Sequence, residues 1–117
     1  MLSEFELEIK KSKFIGMLFT IKNEEEAKNI LLDIKKKHSK ARHIPYAYIV
    51  NNVAKKTDDK EPHNTAGIQI YNQLVMNNLT HHLLLIIRYY GGTKLGASNL
   101  LRAYLTCANN TIKKLQS

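Results

Sequence analysis

Tryptophan is absent from this sequence, and cysteine occurs once, at Cys107. A lone thiol excludes an intramolecular disulfide, so an apolar core has to hold the fold, and the setting is expected to be reducing and intracellular. Proline and glycine are scarce, two and five residues of 117, which excludes collagen-like and Pro/Gly-rich disordered classes. Long apolar runs are also missing. The longest strongly apolar stretch, Leu83 to Ile87, has the length of a strand, whereas a spanning helix needs about 20 residues. The start, MLSEFELEIK, lacks the cationic opening and apolar run of a secretory signal. These shortages together predict a cytoplasmic protein with no membrane partner. Acidic residues are few as well: ten Asp and Glu face eighteen Lys and Arg, a net charge of +8. Such an excess suits a polyanionic partner, and a lysine-rich but merely solvated surface explains it too.

What is present is the material of one folded unit. At 44% hydrophobic and 24% charged, the composition is that of a globular protein, and a domain of this length removes roughly 65% of its unfolded surface from water. No repeat, low-complexity segment or linker divides it, so residues 1–117 are expected to form a single domain. Glu4 to Ile9 alternates polar and apolar residues, the period of a half-buried strand, and Phe14 to Ile21 reads as a second strand, with a hairpin turn near Lys11 and Ser12. Asn23 is a good N-cap, three glutamates follow it, and Ala27, Ile30, Leu31 and Ile34 have helical spacing, which predicts a helix over about 24–38.

Tyr46 to Val50 reads as a third strand after Pro45, and the polar stretch Asn51 to Asn64 as a long loop. Asn64 or Thr65 is placed to cap a second helix with Ile68, Tyr71, Leu74 and Val75 on its apolar side. His82 to Tyr90 is apolar on both faces and is therefore expected at the centre of the sheet. From about Ser98, the residues Leu101, Tyr104, Leu105, Ala108, Ile112 and Leu115 recur on one face of a long third helix. The order predicts an α+β fold: two layers, a four-stranded mixed sheet with helices on one face.

Two segments carry chemistry. In Arg88-Tyr89-Tyr90-Gly91-Gly92-Thr93-Lys94-Leu95-Gly96 a strand runs through glycines into a helix, a junction that presents free N–H groups and the positive helix end to phosphate. Arg88, Lys94 and Arg102 are expected to form one cationic site there; the alternatives are that the glycines only permit a tight turn and that Arg102 faces solvent or pairs with a loop carboxylate. The segment is neither a Walker A loop nor G-x-G-x-x-G. The second segment, Asp58 to Gly67, gathers Asp58, Asp59 and Glu61 with His63 and Thr65. These groups suit a cation or acid–base work, and equally a solvated loop whose acids cap the next helix or pair with lysines.

A third set, Lys11, Lys13, Arg42 and His43 beside Tyr46 and Tyr48, has the mixture of cations and rings that single-stranded nucleic acid needs. His81 and His82 project to opposite faces and are read as structural. Cys107 is expected to be a buried thiol rather than a nucleophile. No metal or cofactor is expected.

Several stretches resemble the IMPACT family of bacterial and eukaryotic translation-related proteins. They are Lys11-Ser12-Lys13-Phe14-Ile15-Gly16, Glu25-Glu26-Ala27, Tyr46-Ala47-Tyr48, Asp58-Asp59 with Glu61-Pro62, Thr65-Ala66-Gly67, Arg88-Tyr89-Tyr90-Gly91-Gly92, Lys94-Leu95-Gly96 and Arg102-Ala103-Tyr104. They fall in family order over about positions 9 to 108. The resemblance implies a ribosomal-protein fold also used by domain IV of elongation factor G. It also implies translation control, since eukaryotic members restrain a stress kinase of the initiation-factor pathway by competing for its activator. Lys60 and Asn64 stand where the family usually has glycine, Ser98-Asn99 replaces a glycine pair, and Ile44-Pro45 a commoner Asn-Cys.

The expectation for function is a non-catalytic module contacting RNA, the ribosome or a translation-regulatory protein through the glycine junction, the acidic loop and the nearby cations. Two alternatives stand beside it. One is an enzyme in which Arg88 and Lys94 clamp a phosphorylated substrate and Asp59 or Glu61 serves as base or metal ligand. The other is a protein-only regulator of a translation stress kinase pathway.

Overall fold

The computed structural model describes residues 1–116. In chain order the elements are β1 (Ser3–Ile9), β2 (Ser12–Thr20), α1 (Glu24–Lys37), β3 (Tyr46–Val50), β4 (Val53–Thr57), α2 (Gly67–Met76), β5 (His82–Tyr89) and α3 (Ala97–Gln116). The α+β class is as expected. The sheet, however, has five strands rather than four, in the order β1-β2-β5-β3-β4, and every pair is antiparallel, so it is not mixed.

The additional strand is β4, cut from what reads as a loop. Asn51, at φ 54°, and Asn52 turn the chain through two residues, and Val53 to Thr57 returns along β3 in register, Val50 opposite Val53 and Tyr46 opposite Thr57. An edge strand buries little, so β4 needs no hydrophobic alternation, and backbone pairing alone defines it.

Helices cover both faces of the sheet, not one. Alternate residues of β2 and β5 point to opposite sides. Phe14, Leu18, Leu84 and Ile86 meet α2 and α3 through Ile70, Leu74, Tyr104 and Ile112. Ile15, Met17, Leu83, Leu85 and Ile87 meet α1 through Ala27, Leu31 and Ile34. A central strand apolar on both faces demands cover on both, which is why α1 and α3 lie on opposite sides of β5. Asn23 caps α1 through its side chain as the sequence predicts. In α2, Val75 is 48% exposed, and Ile70 with Leu74 forms the buried side instead. Among the described residues no helix is long and apolar enough to cross a membrane.

Candidate functional site

Arg88 lies near the end of central β5, and its side chain is only 7% exposed. A buried guanidinium requires a buried anion. Glu61 supplies it. Its carboxylate, 2% exposed, accepts from Arg88 Nη1 on both oxygens, at 2.8 and 2.7 Å. The Tyr104 hydroxyl, reaching in from α3, donates to Oε2 of the same carboxylate. His43 Nε2 stands 3.6 Å from Oε1. Phe14 closes the group from the sheet: its ring packs edge-on to Tyr104 and lies under the Arg88 guanidinium at 5.7 Å. Burial, then the adjacent Glu61 charge and its hydrogen bond, push the Tyr104 hydroxyl far above the ordinary tyrosine value, so it remains a donor. Arg88 Nε is buried with no hydrogen-bond partner among the described residues.

Glu61 reaches this position because the segment before α2 is tied down on itself. Asp58 Oδ1 accepts from the amides of Ala66 and Gly67, capping α2 from eight and nine residues upstream, and Oδ2 accepts from Asn64 N. The expected side-chain caps Asn64 and Thr65 do not serve; Ala66 is the cap position, and Thr65 Oγ1 donates to the Pro62 carbonyl. Asp59 Oδ2 accepts from Ile44 N at 2.6 Å, which ties the loop to the chain just after His43. The backbone is left-handed at Asp59, Lys60 and Asn64, with φ of 46°, 70° and 63°. Two of those are the places where the IMPACT pattern has glycine, so the loop keeps a glycine-like path without the glycines.

The glycine junction sits on the other side. A Cβ on Gly91 would collide with the Lys11 backbone, so the end of β5 packs directly on the β1–β2 turn, and the Gly91 amide donates to the buried Ser12 hydroxyl. Gly92, at φ 93°, redirects the chain towards α3. Between this junction and the acidic loop lies a cleft of about 310 Å³. His43, Glu61 and Arg88 form its floor. Exposed Arg42, Lys60 and Lys94 stand around its mouth, and Arg42 stacks on the Tyr90 ring at 4.7 Å. Pro62, Leu95 and Leu100 make an apolar wall, and Gly96 with Ala97 brings the start of α3 to the edge.

The structure thus brings together Arg88, Lys94, Gly96, Arg42, His43 and Glu61 from the residues the sequence singled out. Arg102 is exposed on α3 and is not among the lining residues, the solvent-facing alternative, and Ala103 and Tyr104 take the inward positions. Gly91 and Gly92 shape the turn behind the cleft. Asp58, Asp59 and Thr65 are engaged with the backbone of their own loop and its neighbour. Lys11 lies against Gly91, and Lys13 pairs loosely with Glu6 at 3.9 Å, both outside the lining. Sequence reasoning placed Tyr104 on the apolar face of α3 but missed its bond to Glu61, and it missed Tyr90 and Leu100 as lining residues. The available signal was Arg88 itself, a charge inside an apolar strand that has to find a carboxylate. Cys107 is fully buried as expected, and burial pushes its thiol up to about 12. Among the described residues no three His, Cys, Asp or Glu side chains gather to hold a metal ion.

The model of the Impact N-terminal domain matches residues 10–112. An IMPACT family member of Bacillus subtilis, YvyE, is 39% identical over 104 residues, covering 86% of this chain and 48% of that protein. One of Escherichia coli, YigZ, is 34% identical over 113 residues, covering 92% and 55%. The chain therefore spans about half the length of the curated relatives it matches. A crystal structure of a hypothetical protein superposes with a TM-score of 0.91 at 32% identity, over 96% of this chain and 57% of the other. The two-domain translational regulator Yih1 shares the fold at a TM-score of 0.57 and 17% identity, over 97% and 45%. On the agreement of motif order, fold and these relatives, the chain belongs to the IMPACT family, and residues 10–112 match its N-terminal domain.

Proposed function

We propose that residues 1–117 act as one IMPACT-type domain, a non-catalytic module of cytoplasmic translation control that binds RNA, free or on the ribosome, through the cationic mouth of the cleft. The observation that carries this reading is the convergence of Arg42, Lys60 and Lys94 from three separate segments onto one concave surface whose acid, Glu61, is already neutralised from within. The net charge of +8 supports it, because phosphate contacts supply most of the affinity of sequence-tolerant RNA binding. Kinship with a family that shares its fold with a translational regulator supplies the setting.

The enzyme alternative needs a free carboxylate in Asp59 or Glu61. Both are engaged, Asp59 with the Ile44 amide and Glu61 with Arg88 and Tyr104, which favours binding over catalysis. The test is a titration of labelled single-stranded RNA at several salt concentrations. The Arg42→Ala/Lys60→Ala/Lys94→Ala variant should reduce the slope of log K against log salt by about two, at about 0.7 for each phosphate that is no longer neutralised. Absence of RNA binding by the native protein at physiological salt would move the assignment to a protein-only regulator.

A further inference from the structure

We propose that the cleft is a seat for a terminal phosphate monoester of a nucleotide or RNA end, rather than for the internal phosphodiester backbone. This inference rests on the RNA-binding reading and names what enters the site. Its first support is shape. The cleft is concave, of about 310 Å³, and at the small end of ligand pockets. An internal phosphodiester presents a single negative charge flanked by two sugars and lies best along an open groove. A monoester carries a charge of about −1.5 to −2 and three free acceptor oxygens on a narrow head, which can enter a cleft.

The second support is the distribution of charge. Lys60 and Lys94 both line the cleft, one from the acidic loop and one from the glycine junction, with Arg42 from a third segment. The start of α3 lines the same cleft through Gly96 and Ala97, and its first turn carries no acidic residue. The other helices are treated differently: α1 has three glutamates in its first turn and the Asn23 cap, and α2 has Asp58 on its amides. A positive helix end left without an acid of its own, facing a ring of cations, suits a dianion.

The third support lies at the floor. Arg88 is more than nine-tenths buried and lines the cleft, yet its Nε–H has no partner among the described residues, while Nη1 alone serves both oxygens of Glu61. On this proposal an arriving anion turns the guanidinium, so that the contact with Glu61 becomes forked and a donor is freed towards the cleft. An anion at the mouth therefore finds a floor that can answer it. The apolar wall of Pro62, Leu95 and Leu100 gives the attached nucleoside a surface to lie on.

The experiment compares one short RNA carrying either a 5′-phosphate or a 5′-hydroxyl, with adenosine 5′-monophosphate and inorganic phosphate as separate probes. The expected result is at least about tenfold tighter binding of the phosphorylated RNA, the fold-change of one charge-assisted contact. Excess inorganic phosphate should erase the difference, as should Lys60→Ala or Lys94→Ala, whereas Arg102→Ala should retain it. The backbone amides of Gly96 and Ala97 should shift on adding adenosine 5′-monophosphate. Equal affinity for the two RNAs overturns the proposal and leaves the RNA-binding reading standing. Binding of adenosine 5′-monophosphate without binding of either RNA supports the seat and removes that reading. Silence of all four probes removes both.

Discussion

The floor and the mouth of the cleft both carry cationic side chains and differ in almost every physical respect. At the floor Arg88 and Glu61 are buried and use their charges on one another, with Tyr104 from α3 donating to Glu61 from behind. At the mouth Arg42, Lys60 and Lys94 are exposed, and none of them is engaged with an acid among the described residues. Buried charges without partners cost several kcal/mol, whereas exposed cations cost almost nothing and remain available. The contrast separates the two roles: the floor holds the fold together where α3 meets the acidic loop, and the mouth is left to meet something else.

The sharpest way to break this contrast is at the floor. Arg88→Met leaves Glu61 buried without its counter-charge and should cost about 3–5 kcal/mol in urea unfolding. Adding Glu61→Met should recover part of that loss, since an apolar pair removes the uncompensated charge while the buried Tyr104 hydroxyl loses its acceptor. A single substitution that costs under about 1 kcal/mol would show that the floor does not support the fold.

Alkaline pH probes the same interior without mutation. Tyr104 and Cys107 both have raised values when folded, Cys107 from 9.0 up to about 12. Between those values the unfolded chain releases a proton that the folded chain keeps, so the unfolded state binds fewer protons and stability falls as pH rises. Loss should begin near pH 9 and continue as tyrosine ionisation joins it above about pH 10. Cys107→Ala should flatten the first part of the decline and Tyr104→Phe the second, as followed by thermal melts across that range.

Asp58→Ala tests whether the loop that carries Glu61 is held by its helix cap. Loss of the acceptor for the Ala66 and Gly67 amides should cost about 1–2 kcal/mol, visible as a lower urea midpoint with an unchanged slope.

The smallest stability effects are expected at the mouth. Lys60→Gly relieves a left-handed lysine at about 1–2 kcal/mol and adds unfolded-state entropy of about 0.5–1, leaving a gain of about 0–1.5 kcal/mol. Lys94→Ala should change stability by less than about 0.5 kcal/mol while flattening the salt slope of RNA binding by about 0.7. A folding defect in Lys94→Ala would assign that lysine to the floor's role and collapse the distinction.

Much of this molecule is determined by the sequence itself, where the signal is local. The strand Tyr46–Val50, the Asn23 cap with its glutamates, and the two-sided apolar run of β5 follow from period, capping chemistry and β-propensity. Tertiary structure decided the rest. Nothing in the run V-A-K-K-T marks it as a strand, because its order comes from backbone bonds to β3 rather than from its own side chains. The pairing of Arg88 with Glu61, twenty-seven residues apart, and the arrival of Tyr104 at the same carboxylate depend on how α3 folds back over the sheet. Roughly half a turn of helix separates exposed Arg102 from that buried donor, so the period that put Tyr104 on the apolar face already turned Arg102 outward, while the partner Tyr104 meets there, Glu61 beside Phe14, was decided by packing.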